Sequence, residues 1–119
     1  MAHWSAEDVQ KQFGRTADLN TRQITVGGQK LTLLFLDGLT SGGDIAEQVL
    51  KPLMETVVPG SMQDVFSQAE RARVYCAVTE RTSDPALTAD KLLHGYCAVI
   101  FPETDAALCF ETKTGVRRG

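Results

Sequence analysis

Two runs constrain the fold more than anything else in the chain: "LTLLFL", residues 31–36, and "YCAVIF", residues 96–101. Each is apolar at nearly every position and has strand length. A strand in a sheet with one wet face alternates, whereas an unbroken apolar run needs cover on both faces. The chain is therefore expected to build a sheet whose middle strands are sandwiched between helices. Neither run approaches the ~20 apolar residues needed to span a bilayer.

The first run follows a half-buried strand. In "TRQITVGGQK", Ile24 and Val26 alternate with Thr25, and Gly27-Gly28 separates them from the apolar run. Adjacent glycines between such segments predict a hairpin turn with positive φ. Upstream, "WSAED" signals a helix over 6–13. Ser5 and Asp8 are a capping pair, Trp4 and Val9 occupy the staple positions, and Gly14 is the stop.

Downstream, apolar residues at 45, 49, 53 and 57, with 50 and 54 beside them, form one helical face. Asp44 and Glu47 form the expected capping pair. Pro52 interrupts this helix, because its ring clashes with the carbonyl of Gln48 and it has no N–H. A kink or restart near Lys51 is expected, with Pro59-Gly60 as the end. "SMQDVFSQAER" reads as a short turn or half-helix.

"ARVYCAVTE" predicts a strand over 73–79, with Val74, Cys76 and Val78 on one face. Asp84-Pro85 then gives a cap and a first-turn proline for a short helix closed by Gly95. That strand, the helix and strand 96–101 make a crossover unit, so the two strands should be parallel. "PETDA" is a hairpin loop and "ALCFETK" its return strand. The expectation is one α/β (α+β) domain over 1–119, with a mixed sheet of about five strands in the order α-ββ-α-β-α-ββ. Residues 1–4 and 113–119 should be flexible.

With 12 basic and 15 acidic residues interspersed, the net charge is −3. Nucleic-acid binding needs a basic stripe, so it is excluded as a function class. "MAHWSAEDVQ" has no apolar core region and does not read as a signal peptide. Cys76, Cys97 and Cys109 each lie in a strand-like apolar run without metal spacing, and read as buried thiols in a reducing compartment. A Cys–His dyad would have to use His3 or His94, and His94 sits where imidazole is a favourable helix-end charge. Glu70, Arg71, Arg73, Glu80, Arg81, Arg117 and Arg118 read as solvated charges.

The candidate site is "LLFLDGLTSGGD", where an apolar strand ends in Asp37 and small residues lead to a helix start. Phosphate binding at that helix start is disfavoured, because Asp44 stands where a P-loop has its Lys and Ser or Thr. Aspartyl-phosphate chemistry lacks its second carboxylate, since position 39 is Leu39. Asp37 and Asp44 alone make a weak hard-metal set. The bland reading is a tight turn with Gly38 at positive φ and Asp44 as cap. No catalytic or metal-binding residues and no cofactor are expected. If the loop binds a ligand, the candidates are Asp37, Gly38, Thr40, Ser41, Gly42 and Gly43, at the carboxyl end of a strand.

The motifs together resemble a known family. Asp18-Leu19, Arg22, the run from Leu33 to Leu39 with Asp37-Gly38-Leu39, Lys51-Pro52-Leu53, Leu92-Leu93-His94-Gly95, Glu103 to Asp105, and Gly115-Val116-Arg117-Arg118 follow the order of the N-terminal soluble region of the A subunit of GerA-type spore germinant receptors. The resemblance covers residues 10–118, with Phe35 where tyrosine is commoner. Family members are several times longer and continue with a Glu-Pro segment, a second soluble subdomain and membrane helices, so this chain corresponds to the first subdomain. The resemblance implies a non-enzymatic part of a receptor in the spore inner membrane, on the cytoplasmic side. It implies as partners the B and C subunits, other A copies, and the membrane through downstream segments. It assigns nutrient recognition chiefly to the B subunit.

Overall fold

The computed structural model describes residues 4–13, 19–36, 42–71 and 78–111. Helix α1 (Ala6–Lys11) leads into β1 (Leu19–Val26) and β2 (Gln29–Leu36). Then come α2 (Gly42–Ile45), a π-helical turn (Ala46–Leu50), α3 (Lys51–Thr56) and α4 (Met62–Arg71). Strand β3 (Val78–Thr82), α5 (Pro85–Leu93), β4 (Tyr96–Phe101) and β5 (Ala106–Glu111) complete the order. The α+β class and the element sequence follow the expectation.

The five strands lie in the order β1-β2-β4-β5-β3, and every ladder is antiparallel. This corrects the mixed sheet, since no two neighbouring strands among the described residues are parallel. Strands β3 and β4 do run in the same direction, because each is antiparallel to β5, but β5 lies between them. The β4–β5 hairpin folds its return strand into the gap that the crossover leaves. Strand β3 also ends later than expected, at Thr82. Glu80 and Arg81 sit inside it, paired with Cys109 and Leu108, and residues 73–77 of the expected strand lie outside the described residues. An edge strand satisfies its inner ladder with polar side chains outward, so it needs no apolar run.

The apolar runs are central, as their pattern requires. Leu31, Leu33 and Phe35 of β2 face one core with Cys97, Val99 and Phe101 of β4 and Leu108 and Phe110 of β5. Leu34 and Leu36 face the other with Ala98, Ile100, Ala107 and Cys109. The first face is covered by Ile45, Val49, Leu53 and Val57, and by Val65, Phe66 and Ala69 of α4. The second is covered by Val9 of α1 and by Ala89 and Leu92 of α5, with Trp4 and Phe13 at its margin. Fully burying each Leu, Ile, Val or Phe contributes roughly 1.5–3 kcal/mol. The sheet is therefore held by both layers.

Local signals explain most element ends. The Ser5 amide donates to Asp8 Oδ2 at 2.8 Å and starts α1. The expected stop at Gly14 lies outside the described residues. Gly27 and Gly28 have φ of 58° and 79° and join Val26 to its partner Gln29. Asp84 Oδ1 accepts from the Leu87 amide at 2.8 Å, with Pro85 next, and Gly95 closes α5 at φ 88°.

Pro52 acts one turn earlier than a simple kink. The Lys51 N–H reaches back five residues to the Ala46 carbonyl. The helix α3 restarts at Lys51, so Pro52 stands in its first turn, where a missing N–H costs least. Ile45, Val49 and Leu53 stay fully buried, whereas Met54 is 49% exposed rather than part of the buried face.

The segment expected as a turn or half-helix is instead the ten-residue α4. Its signal is the motif that starts α1. The Asp64 amide donates to Ser61 Oγ at 3.2 Å, and the Ser61 amide donates to Asp64 Oδ2 at 3.3 Å.

Candidate functional site

Strand β2 ends at Leu36 and α2 begins at Gly42. Of the candidate loop, Asp37, Gly38, Thr40 and Ser41 lie outside the described residues. Gly42 and Gly43 open the helix, and Gly43 is exposed. Asp44 is therefore the third helical residue and not the N-cap, which corrects that expectation. Beside this end of β2, the exposed Arg22 of β1 places its guanidinium 5.8 Å from the centre of the Phe35 ring.

Another polar cluster lies on the described part of the chain. Glu80 of β3 receives Lys91 Nζ on Oε1 at 2.6 Å, and the Tyr96 hydroxyl donates to Oε2 at 3.2 Å. Lys91 also sits 5.0 Å from the Tyr96 ring centre. The Lys91 hydrogen bond lowers the Glu80 pKa, and the same bond raises that of Lys91. Burial, then the nearby carboxylates, raises that of Tyr96. All three move away from neutrality. Proton transfer at neutral pH needs the opposite shift, so the cluster ties β3 to α5 and β4 instead.

The thiols follow the same logic. Cys97 and Cys109 are free, buried and on opposite faces of the sheet. Burial pushes Cys97 up to about 12 and Cys109 up to about 11. A thiolate nucleophile needs a lowered value. Cys76 lies outside the described residues. His94 caps α5, with Nδ1 2.8 Å from the Asp90 carbonyl oxygen. Among the described residues, no three His, Cys, Asp or Glu side chains converge on one point.

A feature absent from the sequence reading is the strap between α3 and α4. Gln68 clamps Val58 through both backbone groups, accepting its N–H at 2.9 Å and donating to its carbonyl at 3.0 Å. Gln29 donates to the Gly60 carbonyl at 2.7 Å, and the Gly60 N–H reaches the Gly27 carbonyl at 3.4 Å. The strap thus fastens the β1–β2 turn to the helices and leaves Val58 59% exposed. Neither glutamine carries a pattern that would have revealed this.

Fold and geometry together define a small α+β module with a sheet packed on both faces. A model of the Bacillus/Clostridium GerA spore germination protein family matches residues 7–119, and the chain belongs to that family. Its fold is similar to the N-terminal domain of the A subunit of the Bacillus megaterium spore germinant receptor GerK3. That likeness has a TM-score of 0.63 and 17% identity over 88% of this chain and 86% of that one. No curated protein matches the chain. The resemblance carried by the motifs is thereby borne out. Among the described residues, no helix is long and apolar enough to cross a membrane.

Proposed function

We propose that the chain is the first N-terminal subdomain of a spore germinant receptor A subunit. In this reading it is non-enzymatic and contributes through protein–protein contacts to receptor assembly and nutrient-triggered germination. Its partners are the B and C subunits and other A copies. It sits on the cytoplasmic side of the spore inner membrane, to which downstream segments attach it. The family match across residues 7–119 carries this reading, and the free buried thiols agree with a reducing compartment. Deleting residues 7–111 from the full-length protein tests it. Loss of the response to that receptor's nutrient, with other receptors still working, is expected. An unchanged response overturns the proposal.

One observation favours a second reading, a small-molecule module using the loop 37–44. Gly42 and Gly43 open a helix just beyond the carboxyl end of β2, where α/β sheets often bind ligands. Thermal-shift measurements with nutrients and nucleotides separate the two. A shift that Gly43→Asp removes supports binding, and no shift with any compound removes this reading.

A further inference from the structure

The β1–β2 hairpin runs against the charge of the chain. Residues 19–36 carry Arg22 and Lys30 and no carboxylate, although the whole chain has a net charge of −3. Arg22 is exposed, lies over Phe35, and makes no ion pair with a carboxylate among the described residues. Among the described residues, strand β1 is also a sheet edge. It is eight residues long, contains no proline, and keeps an unbroken register with β2 from Leu19↔Leu36 to Val26↔Gln29.

The turn fixes which backbone groups face outward. In a two-residue hairpin the pair closing the turn exchanges both backbone bonds, and alternate pairs follow suit. Val26, Ile24, Arg22 and Asn20 therefore spend their backbone groups on β2. Thr25, Gln23 and Thr21 turn theirs to the outside of the sheet. On the face shared by Arg22 and Ile24, Ile24 is half-buried against the core. An added strand would find an apolar neighbour there and a cation two residues away.

We infer that the outer edge of β1 docks an extended, acidic peptide segment of a protein partner, added antiparallel as one more strand. Strand addition takes its affinity from main-chain bonds and its specificity from alternate side chains. The residue opposite Ile24 is apolar, and the residue opposite Arg22, two positions later in the partner, is Asp or Glu. A second copy offering the same edge would bring two basic hairpins together, which like-charge pairing disfavours. The inference goes beyond the germination reading, because it names a surface and the chemistry of its partner. Its failure would leave the deletion result untouched.

The test follows amide exchange in the whole chain with two ten-residue peptides, one alternating valine with glutamate and one alternating valine with lysine. The glutamate peptide is expected to slow exchange at Thr21, Gln23 and Thr25. Gln23→Pro removes one outward donor while sparing the ladder to β2, and should abolish that protection. The Leu33 and Val99 amides report whether its fold is intact. Arg22→Glu, which leaves every backbone donor in place, should weaken the glutamate peptide about fivefold and admit the lysine peptide. Three results overturn the inference: no protection at millimolar peptide, equal binding of the lysine peptide to the parent chain, or unchanged binding by Arg22→Glu. Protection that rises with chain concentration alone marks pairing between copies and also overturns it.

Discussion

The two hairpins of the sheet solve the same problem in different ways. The β1–β2 turn has two residues, both glycine at positive φ, and its tip is pressed into the helical layer. The β4–β5 turn spans residues 102–105 and places Glu103 and Asp105 at φ 71° and 54°. There the Thr104 N–H and hydroxyl both donate to the Phe101 carbonyl, at 3.2 and 2.7 Å, and the Trp4 amide donates to Asp105 Oδ1 at 3.2 Å. The strands differ as sharply. Every residue of β5 up to Phe110 is buried, whereas β1 is half-buried or exposed up to Val26. One hairpin is the middle of the core. The other is fastened at its tip and, among the described residues, lies at the edge of the sheet.

That contrast predicts an order of mutational effects. Phe101 is 1% exposed and meets Phe66 edge-to-face, with ring centroids 5.0 Å apart. Phe101→Ala should cost about 3–5 kcal/mol. Ile24→Ala on β1 should cost only about 1 kcal/mol, since that side chain keeps part of its surface in water. Urea denaturation of both variants measures the gap. Equal losses would break the distinction between a core hairpin and an edge hairpin.

The fastened tip gives the next effect. A Cβ on Gly27 would lie 2.8 Å from Val65 Cγ2 and 3.0 Å from the Val58 carbonyl oxygen, at φ +58°. Gly27→Ala should therefore cost about 3 kcal/mol, from left-handed strain and overpacking together. Gly28 has nothing within 4 Å, so Gly28→Ala should cost only the strain, about 1 kcal/mol. Similar losses at both positions would mean that the tip is not docked on the strap.

These two hairpins also show how far the sequence could be read. Gly27-Gly28, the two apolar runs and Asp84-Pro85 announced their structures, because each is a local rule with one physical solution. The place of β5 between β4 and β3 was not legible. A hairpin and a crossover each fix a direction, but neither says which gap the return strand fills. The end of β3 is not legible in apolar content, because Glu80, Arg81 and Thr82 belong to the ladder through their backbones. Helix α4 is hard to read, because Val65, Phe66 and Ala69 are few among polar neighbours and its main signal is the Ser61–Asp64 capping pair. At the candidate site, the helix start moved from Asp44 to Gly42, since glycine at a helix entry carries no side-chain signal.

The core hairpin also holds the buried thiols, and these give it a pH dependence. Cys97 is raised to about 12 and Cys109 to about 11, from an ordinary value of 9.0. Raised folded values mean that stability is full below pH 9 and falls as pH climbs toward 11–12. The unfolded chain loses its thiol protons first. The loss is about 1.4 kcal/mol per pH unit for each thiol. Lys91 and Tyr96 are also raised and push the same way, so the parent slope alone does not isolate the thiols. Cys97→Ala should remove one thiol's share, read from urea midpoints at pH 8, 9 and 10. An unchanged slope would place Cys97 in contact with solvent.

The smallest effect compares the two sheet edges. At β3 the charge is engaged, since Glu80 binds Lys91 and Tyr96. At β1, Arg22 covers an aromatic ring and has no ion pair among the described residues. The Glu80 value is lowered, so its contribution is present above the ordinary carboxylate value and is lost as pH falls through the lowered one. Lys91→Met should therefore lower the urea midpoint slightly at pH 7, and the difference from the parent chain should shrink as pH falls below the ordinary carboxylate range. Arg22→Met should change the midpoint little at any pH, because no carboxylate among the described residues pairs with it. Exposed ion pairs are screened by water and salt, so raising the salt concentration should shrink the Lys91→Met difference and leave Arg22→Met unaffected. A pH-dependent loss at Arg22→Met would show that the β1 edge is already paired within the chain, and both sheet edges would then be held by charge in the same way.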